Sequence, residues 1–172
     1  MNGPVATTIE QIAIREAVRG GVTRGIAAIG LAGVALIHLL DLPGQLSETP
    51  YIFFLYLALM FSSITLAGIL IQTGDMRVWA AATVLPVLVI VAYVLSRTTG
   101  LPQSSDDIGN WGEPLGMASL FVEGSVVALG SAVLLADGCA ARLASRSPAR
   151  RRYGTLVRPA EGFLKRARVG CR

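Results

Sequence analysis

The pattern of hydrophobic and polar residues divides the chain into four long apolar segments joined by short polar ones. Each segment has close to the 20 residues or so that an α-helix needs to cross a hydrocarbon core about 30 Å thick. The segments cover about residues 21–42, 51–71, 78–96 and 115–136. The first and third are short enough for buried helices of a soluble protein, but four in succession favour membrane spans. The pattern therefore predicts an all-α fold, an antiparallel four-helix transmembrane bundle.

The composition agrees with a membrane location. Hydrophobic residues make up 53% of the chain, charged residues only 15%, and the mean hydropathy is +0.60. A cleaved secretory signal is the alternative interpretation of the first segment. We disfavour it because no small-x-small cleavage site precedes a polar mature region, and because His38 and Asp41 follow where the cut would fall. Residues 21–140 are then predicted to form one membrane domain.

Both tails are more polar than the segments between them. Residues 1–20 are predicted to be a cytoplasmic segment, either a short helix on the inner leaflet or a frayed lead-in to the first span. Residues 141–172 are basic and low in apolar content, which predicts a disordered cytoplasmic tail lying against anionic lipid. Nucleic acid is a less favoured partner, because the aromatic residues of this tail are only Tyr153 and Phe163.

The basic residues indicate the orientation. Of the 15, all but Arg97 lie in the tails, at their junctions with the spans, or in the loop between the second and third segments. By the positive-inside rule, both termini are predicted to be cytoplasmic. This bias argues against a dual-topology exporter, whose two sides carry balanced charge. Cys139 and Cys171 both fall on the reducing side, which argues against a structural disulfide and against a thiol oxidase.

The outward side of this topology gathers most of the remaining polar chemistry. Four candidate ligand- or proton-binding residues lie within the spans or at their edges: His38, Asp41, Arg97 and Glu123. Five further candidates lie in the outer loops: Glu48, Asp106, Asp107, Trp111 and Glu113. The sequence therefore places any binding site at the outer end of the bundle.

The loop candidates also have structural interpretations. Glu48 and Glu113 each come just before a proline suited to open a helix, where a carboxylate offsets the helix dipole. Asp106 and Asp107, followed by a glycine, have the composition of a turn. Trp111 suits the headgroup level, where tryptophan is enriched. Each of these residues therefore has a structural interpretation as well as a ligand-binding one.

Glu123 is the candidate hardest to explain by structure alone. It lies about 13 Å along the fourth segment, where an ionised carboxylate costs about 2.5–3.5 kcal/mol or more. We expect it to face the bundle interior and to find a partner or be protonated. An ion pair with Arg97 is favoured, because an arginine on the outer side needs a partner. The alternative is a proton, cation or small polar ligand bound among Glu123, His38 and Asp41.

The sequence identifies no cofactor and leaves any metal unknown. A bis-histidine haem needs two histidines, and the chain has one. His38, Asp41 and Glu123 are acceptable zinc ligands by type, but no short-spacing signature accompanies them. Motifs of a serine hydrolase or of a phosphate-binding loop are missing as well. An enzyme is therefore the third choice among the functional classes.

Several short motifs carry a resemblance to a known group of proteins. SRTTGLP, DDIGNW, EPLG and SLFVEG, together with IHLLDLPG and ETPY, resemble small four-span membrane proteins of high-GC Gram-positive bacteria. The resemblance covers about residues 25–136 and leaves out both tails. It implies the four-span fold and a bacterial plasma membrane. The group has no assigned activity, so the resemblance implies no catalytic residues.

The function predicted from these observations is non-enzymatic. The leading hypothesis is an accessory or binding subunit with a polar site open to the extracytoplasmic side, alone, as a homo-oligomer or within a larger membrane complex. Glu123 and His38 would exchange protons or coordinate a cation, with Asp41 orienting His38 and Arg97 balancing the charge. The alternative is a small oligomeric transporter or proton-coupled carrier that uses Glu123 as its coupling carboxylate.

Overall fold

The structure, a computed structural model, describes residues 4–102, 105 and 107–146. It contains four helices in this part of the chain: α1 (Pro4–Glu48), α2 (Pro50–Thr73), α3 (Met76–Thr98) and α4 (Pro114–Arg146). Each helix is long and apolar enough to cross a membrane. The predicted all-α four-helix bundle is confirmed, and the chain is a multi-pass membrane protein.

The ends of the helices differ from the apolar segments. α1 begins at Pro4 and continues without a break through residue 20 and past Pro43 to Glu48. α4 continues to Arg146, ten residues beyond the predicted end of its span, and residues 147–172 of the predicted basic tail lie outside the described residues. Hydropathy identifies only the apolar part of a helix that lies in lipid. The helix itself can continue beyond it, because many polar residues also have a high helix propensity.

Proline and glycine set the remaining helix boundaries as expected. Pro50 and Pro114 are the first residues of α2 and α4, positions where the missing N–H costs nothing. α2 ends at Thr73, and the next residue, Gly74, caps it with a φ of 63°, a left-handed conformation that glycine adopts without strain. Asp75 then caps α3 by accepting a hydrogen bond of 2.8 Å from the Arg77 backbone N–H.

The inward face of each helix follows a seven-residue repeat. On α4 this face carries Gly116, Ser119, Glu123, Val126 and Gly130, at alternating intervals of three and four residues. On α1 the same spacing gives Ala27, Leu31, Val34, His38 and Asp41. Such a repeat is typical of helices that pack at a shallow crossing angle with interlocking side chains. Polar residues of the repeat are thereby turned towards the bundle rather than towards lipid.

Two glycines let α4 approach its neighbours closely. A Cβ atom added at Gly130 would collide with the side chain of Thr83 on α3, and one added at Gly30 of α1 would collide with Val126 of α4. Small residues at such positions allow tight helix packing in membranes. α4 therefore lies against both α1 and α3.

The two ends of the bundle have different interiors. We call the end bearing Thr49 and the α3–α4 connection the long-loop end, and the end bearing Gly74 the short-turn end. Towards the short-turn end the core is apolar, with Leu70 and Trp79 at its centre. The chain forms a compact unit as far as Leu134, and a second unit begins at Leu135, of which the structure describes the last part of α4. The buried polar residues lie mainly in the other half of the first unit.

Candidate functional site

A cavity of about 410 Å³ lies at the long-loop end of the bundle. Its walls come from all four helices and from the α3–α4 connection. The polar residues that line it are His38, Asp41, Gln45, Tyr56, Ser62, Tyr93, Ser96, Arg97, Asp107, Glu113 and Ser119. Three of the four predicted intramembrane candidates and two of the loop candidates therefore share one cavity. Glu123 is fully buried just behind it.

Arg97 organises the loop at the mouth of the cavity. Its guanidinium group donates hydrogen bonds to the carboxylates of Asp107 and Glu113, and its backbone carbonyl accepts a hydrogen bond of 2.9 Å from the Gly109 N–H. The other side of the loop is held by the Tyr51 hydroxyl, which donates to the Pro102 carbonyl at 2.7 Å. The α3–α4 connection is thus folded over the bundle end and fixed to α2 and α3.

Aromatic rings complete the surroundings of Arg97. The guanidinium carbon lies 4.9 Å from the centre of the Tyr93 ring, within the range of a cation–π contact. Trp111 meets Tyr93 edge to face, with ring centres 6.2 Å apart. Arg97 is consequently only 6% exposed although it lies at the end of its helix. Trp111 has a packing role in addition to the predicted interfacial one.

The predicted ion pair between Arg97 and Glu123 is wrong. Arg97 pairs with Asp107 and Glu113, while Glu123 accepts a hydrogen bond of 2.6 Å from the Ser119 hydroxyl, one turn earlier on α4. The physical reason is that the two residues lie at different depths in the bundle. Arg97 can meet the loop carboxylates at the bundle end, whereas reaching Glu123 would require it to enter the apolar interior. Among the described basic residues, none lies within ion-pair distance of Glu123.

The surroundings of His38 also differ from the prediction. Its Nδ1 atom lies 2.9 Å from the Val34 carbonyl oxygen, so Nδ1–H donates and Nε2 remains as the acceptor. Asp41 does not orient the ring but accepts a hydrogen bond of 2.9 Å from the Tyr56 hydroxyl. Tyr56 in turn packs edge to face on His38, with ring centres 4.8 Å apart. Tyr56 therefore links the two predicted residues.

Sequence reasoning missed Tyr56 for a definable reason. Ile52, Tyr56, Leu59 and Ser63 fall on the inward repeat of α2, so the spacing turns the tyrosine towards the bundle. The tyrosine was overlooked because a phenol in an apolar segment carries no charge and raises no desolvation question. Its hydroxyl nevertheless supplies the donor that Asp41 needs in a low-dielectric site.

The candidates that the structure describes do not assemble into a metal centre. Within the part of the chain that the structure describes, no three His, Cys, Asp or Glu side chains lie close enough together to hold a metal ion. The set of His38, Asp41 and Glu123 considered from the sequence is therefore not brought together. Glu48 is the last residue of α1, but its side chain lies outside the described structure, as does Asp106.

Glu123 should be replaceable without loss of stability. Its Oε2 atom is buried with no hydrogen-bond partner in the described structure, and its only bond is the one from Ser119. An apolar side chain of similar volume removes a desolvated carboxyl group, so Glu123→Met should raise the free energy of unfolding by about 1 kcal/mol or more. Unfolding by SDS in mixed micelles, followed by tryptophan fluorescence, measures this. A loss of stability in Glu123→Met, with Val122→Met unchanged, would show that the carboxyl group has a stabilising partner.

Comparison of the chain with protein-family models, with curated proteins and with solved structures gave no match. Function is therefore inferred from the chemistry of the cavity and from the charge of the chain.

Proposed function

We propose that this multi-pass membrane protein is a non-enzymatic binding or accessory subunit whose ligand site is the cavity at the long-loop end. The observation that carries the proposal is the convergence of polar side chains from all four helices on one cavity of about 410 Å³. A cavity of this size suits a small molecule. A purely structural bundle would gain stability by filling this space with apolar side chains.

The charge of the cavity indicates what it would bind. Asp41, Asp107 and Glu113 contribute three carboxylates, and Arg97 contributes the one guanidinium group in the lining. Arg97 already donates to two of the acids through its two terminal nitrogens, so its charge is balanced within the site, and its Nε–H is buried. The remaining hydrogen-bonding capacity is in acceptors, chiefly Nε2 of His38 and the second carboxylate oxygen of Asp41, whose Oδ2 already accepts from Tyr56. The site therefore favours a cation or a ligand that donates hydrogen bonds.

We place the long-loop end on the extracytoplasmic side of a bacterial plasma membrane. The support is the distribution of charge, since all of the basic residues except Arg97 lie in the tails, at their junctions with the spans, or in the α2–α3 turn region. The resemblance to four-span proteins of high-GC Gram-positive bacteria supports the host. On this topology the basic tail would meet the anionic inner leaflet, and both termini would be cytoplasmic.

A proton-coupled carrier is the second candidate, and Ser119 favours it. Ser119 lines the cavity and donates to Glu123, so a single hydroxyl connects the cavity to a buried carboxyl group. Beyond Glu123, however, the core is filled by Leu31, Leu70 and Trp79, which are all nearly inaccessible. A carrier would have to open this half of the bundle. The static arrangement is that of a site closed towards the short-turn end, and this makes binding the leading proposal.

The proposal predicts that a ligand copurifies and that Asp41 holds it. Native mass spectrometry of the protein, extracted gently from its own host, should show a bound ligand as an added mass. Asp41→Asn should lower the fraction of the protein that carries this mass at least about tenfold. Asparagine keeps an acceptor for Tyr56, so the fold should be retained. Asp137→Asn, an exposed residue outside the cavity, is the matched control.

The other outcomes separate the candidates. A protein that comigrates in wild type would identify an accessory subunit and its partner. A bare chain in both wild type and Asp41→Asn would contradict the binding proposal. Transport of the copurified ligand into proteoliposomes, abolished by Glu123→Gln, would establish the carrier instead.

A further inference from the structure

The cavity is not closed towards lipid. Its lining includes Leu55 on α2 and Leu88 on α3, which are 61% and 60% exposed on the outer surface of the bundle. Ala58 and Ala92 line it from the same two exposed faces. A wall formed by exposed apolar residues of adjacent helices is an opening between those helices. In a membrane this opening faces acyl chains rather than water.

A second cavity continues the first along the α2–α3 surface. It has a volume of about 530 Å³ and shares Ser62, Leu85 and Leu88 with the polar cavity. Its other walls are mainly apolar and include Phe61 and Val84. We call it the α2–α3 groove. Polar cavity and groove together form one continuous space, polar near the membrane surface and apolar towards the middle of the bilayer.

From this geometry we propose that the two spaces form one site for a single-chain amphiphile that enters from the bilayer, with an ammonium group as its polar end. The inference rests on the proposed function and specifies its ligand. The apolar chain would lie in the α2–α3 groove, where Leu85 and Leu88 contact it. The ammonium group would lie in the polar cavity, where Asp41 and Nε2 of His38 accept its hydrogen bonds.

Charge excludes the commoner polar ends. Asp41, Asp107 and Glu113 outnumber Arg97, whose charge is already paired with two of them, so a phosphate or carboxylate end would meet net negative charge. An ammonium group has three donors and the opposite charge. Because Asp41 is near the end of its span, the ammonium group would remain near the headgroup level and would not have to cross the apolar core.

Native mass spectrometry of the full chain in lipid nanodiscs tests the site with matched probes. Dodecylammonium should bind at least about tenfold more tightly than dodecanoate, and butylammonium should bind weakly because it cannot fill the groove. Leu88→Trp should reduce dodecylammonium binding about tenfold by filling the groove. Val91→Trp, one turn away on α3, 49% exposed and outside both cavities, should leave it unchanged.

Each contrary result would overturn a different part of the proposed site. Equal binding of butylammonium and dodecylammonium, sensitive to Asp41→Asn but not to Leu88→Trp, would show that the ligand occupies the polar cavity without using the α2–α3 groove. Tighter binding of dodecanoate would overturn the ammonium assignment. A dimer that Leu88→Trp dissociates, with no bound probe, would show that a second copy covers the groove. Absence of binding by every probe, with a copurified ligand that still depends on Asp41, would overturn this inference alone.

Discussion

Removal of both carboxylates from Arg97, in Asp107→Ala with Glu113→Ala, should lower the free energy of unfolding by about 3–5 kcal/mol. The guanidinium group is nearly inaccessible to solvent in the folded bundle and would lose both countercharges. A buried charge without a partner is among the costliest single defects in a protein. SDS-induced unfolding in mixed micelles, followed by tryptophan fluorescence, gives the difference.

Removal of the arginine should be milder. The side chains of Asp107 and Glu113 are 40% and 33% exposed, so in Arg97→Met both carboxylates can be hydrated. We expect a loss of about 2 kcal/mol for this variant, mainly from the broken charged hydrogen bonds. The triple variant, with all three side chains removed, should be more stable than the double-alanine variant. A triple variant no more stable than the double would contradict the account, and Glu10→Ala with Asp137→Ala is the control for loss of two exposed acids.

Replacement of Gly130 by alanine should destabilise the bundle by about 1–3 kcal/mol, even though alanine is the better helix former. The added methyl group would overlap the side chain of Thr83, whose Cβ lies 3.2 Å from the new atom. Thr83 cannot readily turn away, because its hydroxyl is bonded to the Trp79 carbonyl at 2.8 Å. The two helices would therefore have to move apart.

Gly124 provides the matched control on the same helix. A Cβ atom added there meets nothing within 4 Å. Gly124→Ala should accordingly stabilise the bundle by about 0.5–1 kcal/mol through the lower entropy of the unfolded chain. Thermal unfolding of both variants in one detergent measures the contrast. Equal effects would show that Gly130 is not a packing contact, and Gly130→Ala with Thr83→Ala should recover part of the loss.

Hydropathy predicted the fold because the bilayer constrains spanning segments more than water constrains soluble ones. Four apolar segments of sufficient length leave few alternatives, and Pro50 and Pro114 mark the helix starts directly. The same signal could not place the end of α1 or of α4, since lipid selects for apolarity and not for helix length. The extension of α1 to Pro4 depends on helix propensity and on continuity with the span.

Several residues that line the cavity were named as candidates from the sequence, but their side-chain partners were not predicted. Helical spacing shows which residues share a face, as with His38 and Asp41, but gives no relative depth for residues on different helices. Spacing alone therefore predicts a pair between Arg97 and Glu123, although in the folded bundle the carboxylates of the α3–α4 connection lie nearer to the arginine. The bond from Ser119 to Glu123 could have been found, since four-residue spacing brings these side chains together. The conformation of the α3–α4 connection carries no comparable periodic signal.

The length of α1 has a mechanical consequence. Arg24 packs against Gly74, which places this point of α1 level with the short α2–α3 turn. The helix continues from there back to Pro4, about 30 Å further at 1.5 Å per residue, and residues 10–22 are exposed throughout. The same helix carries His38 and Asp41 at the cavity. By geometry, a change of about 10° in the tilt of this helix would displace its far tip by about 5 Å, so small changes at the cavity end correspond to large ones at Pro4.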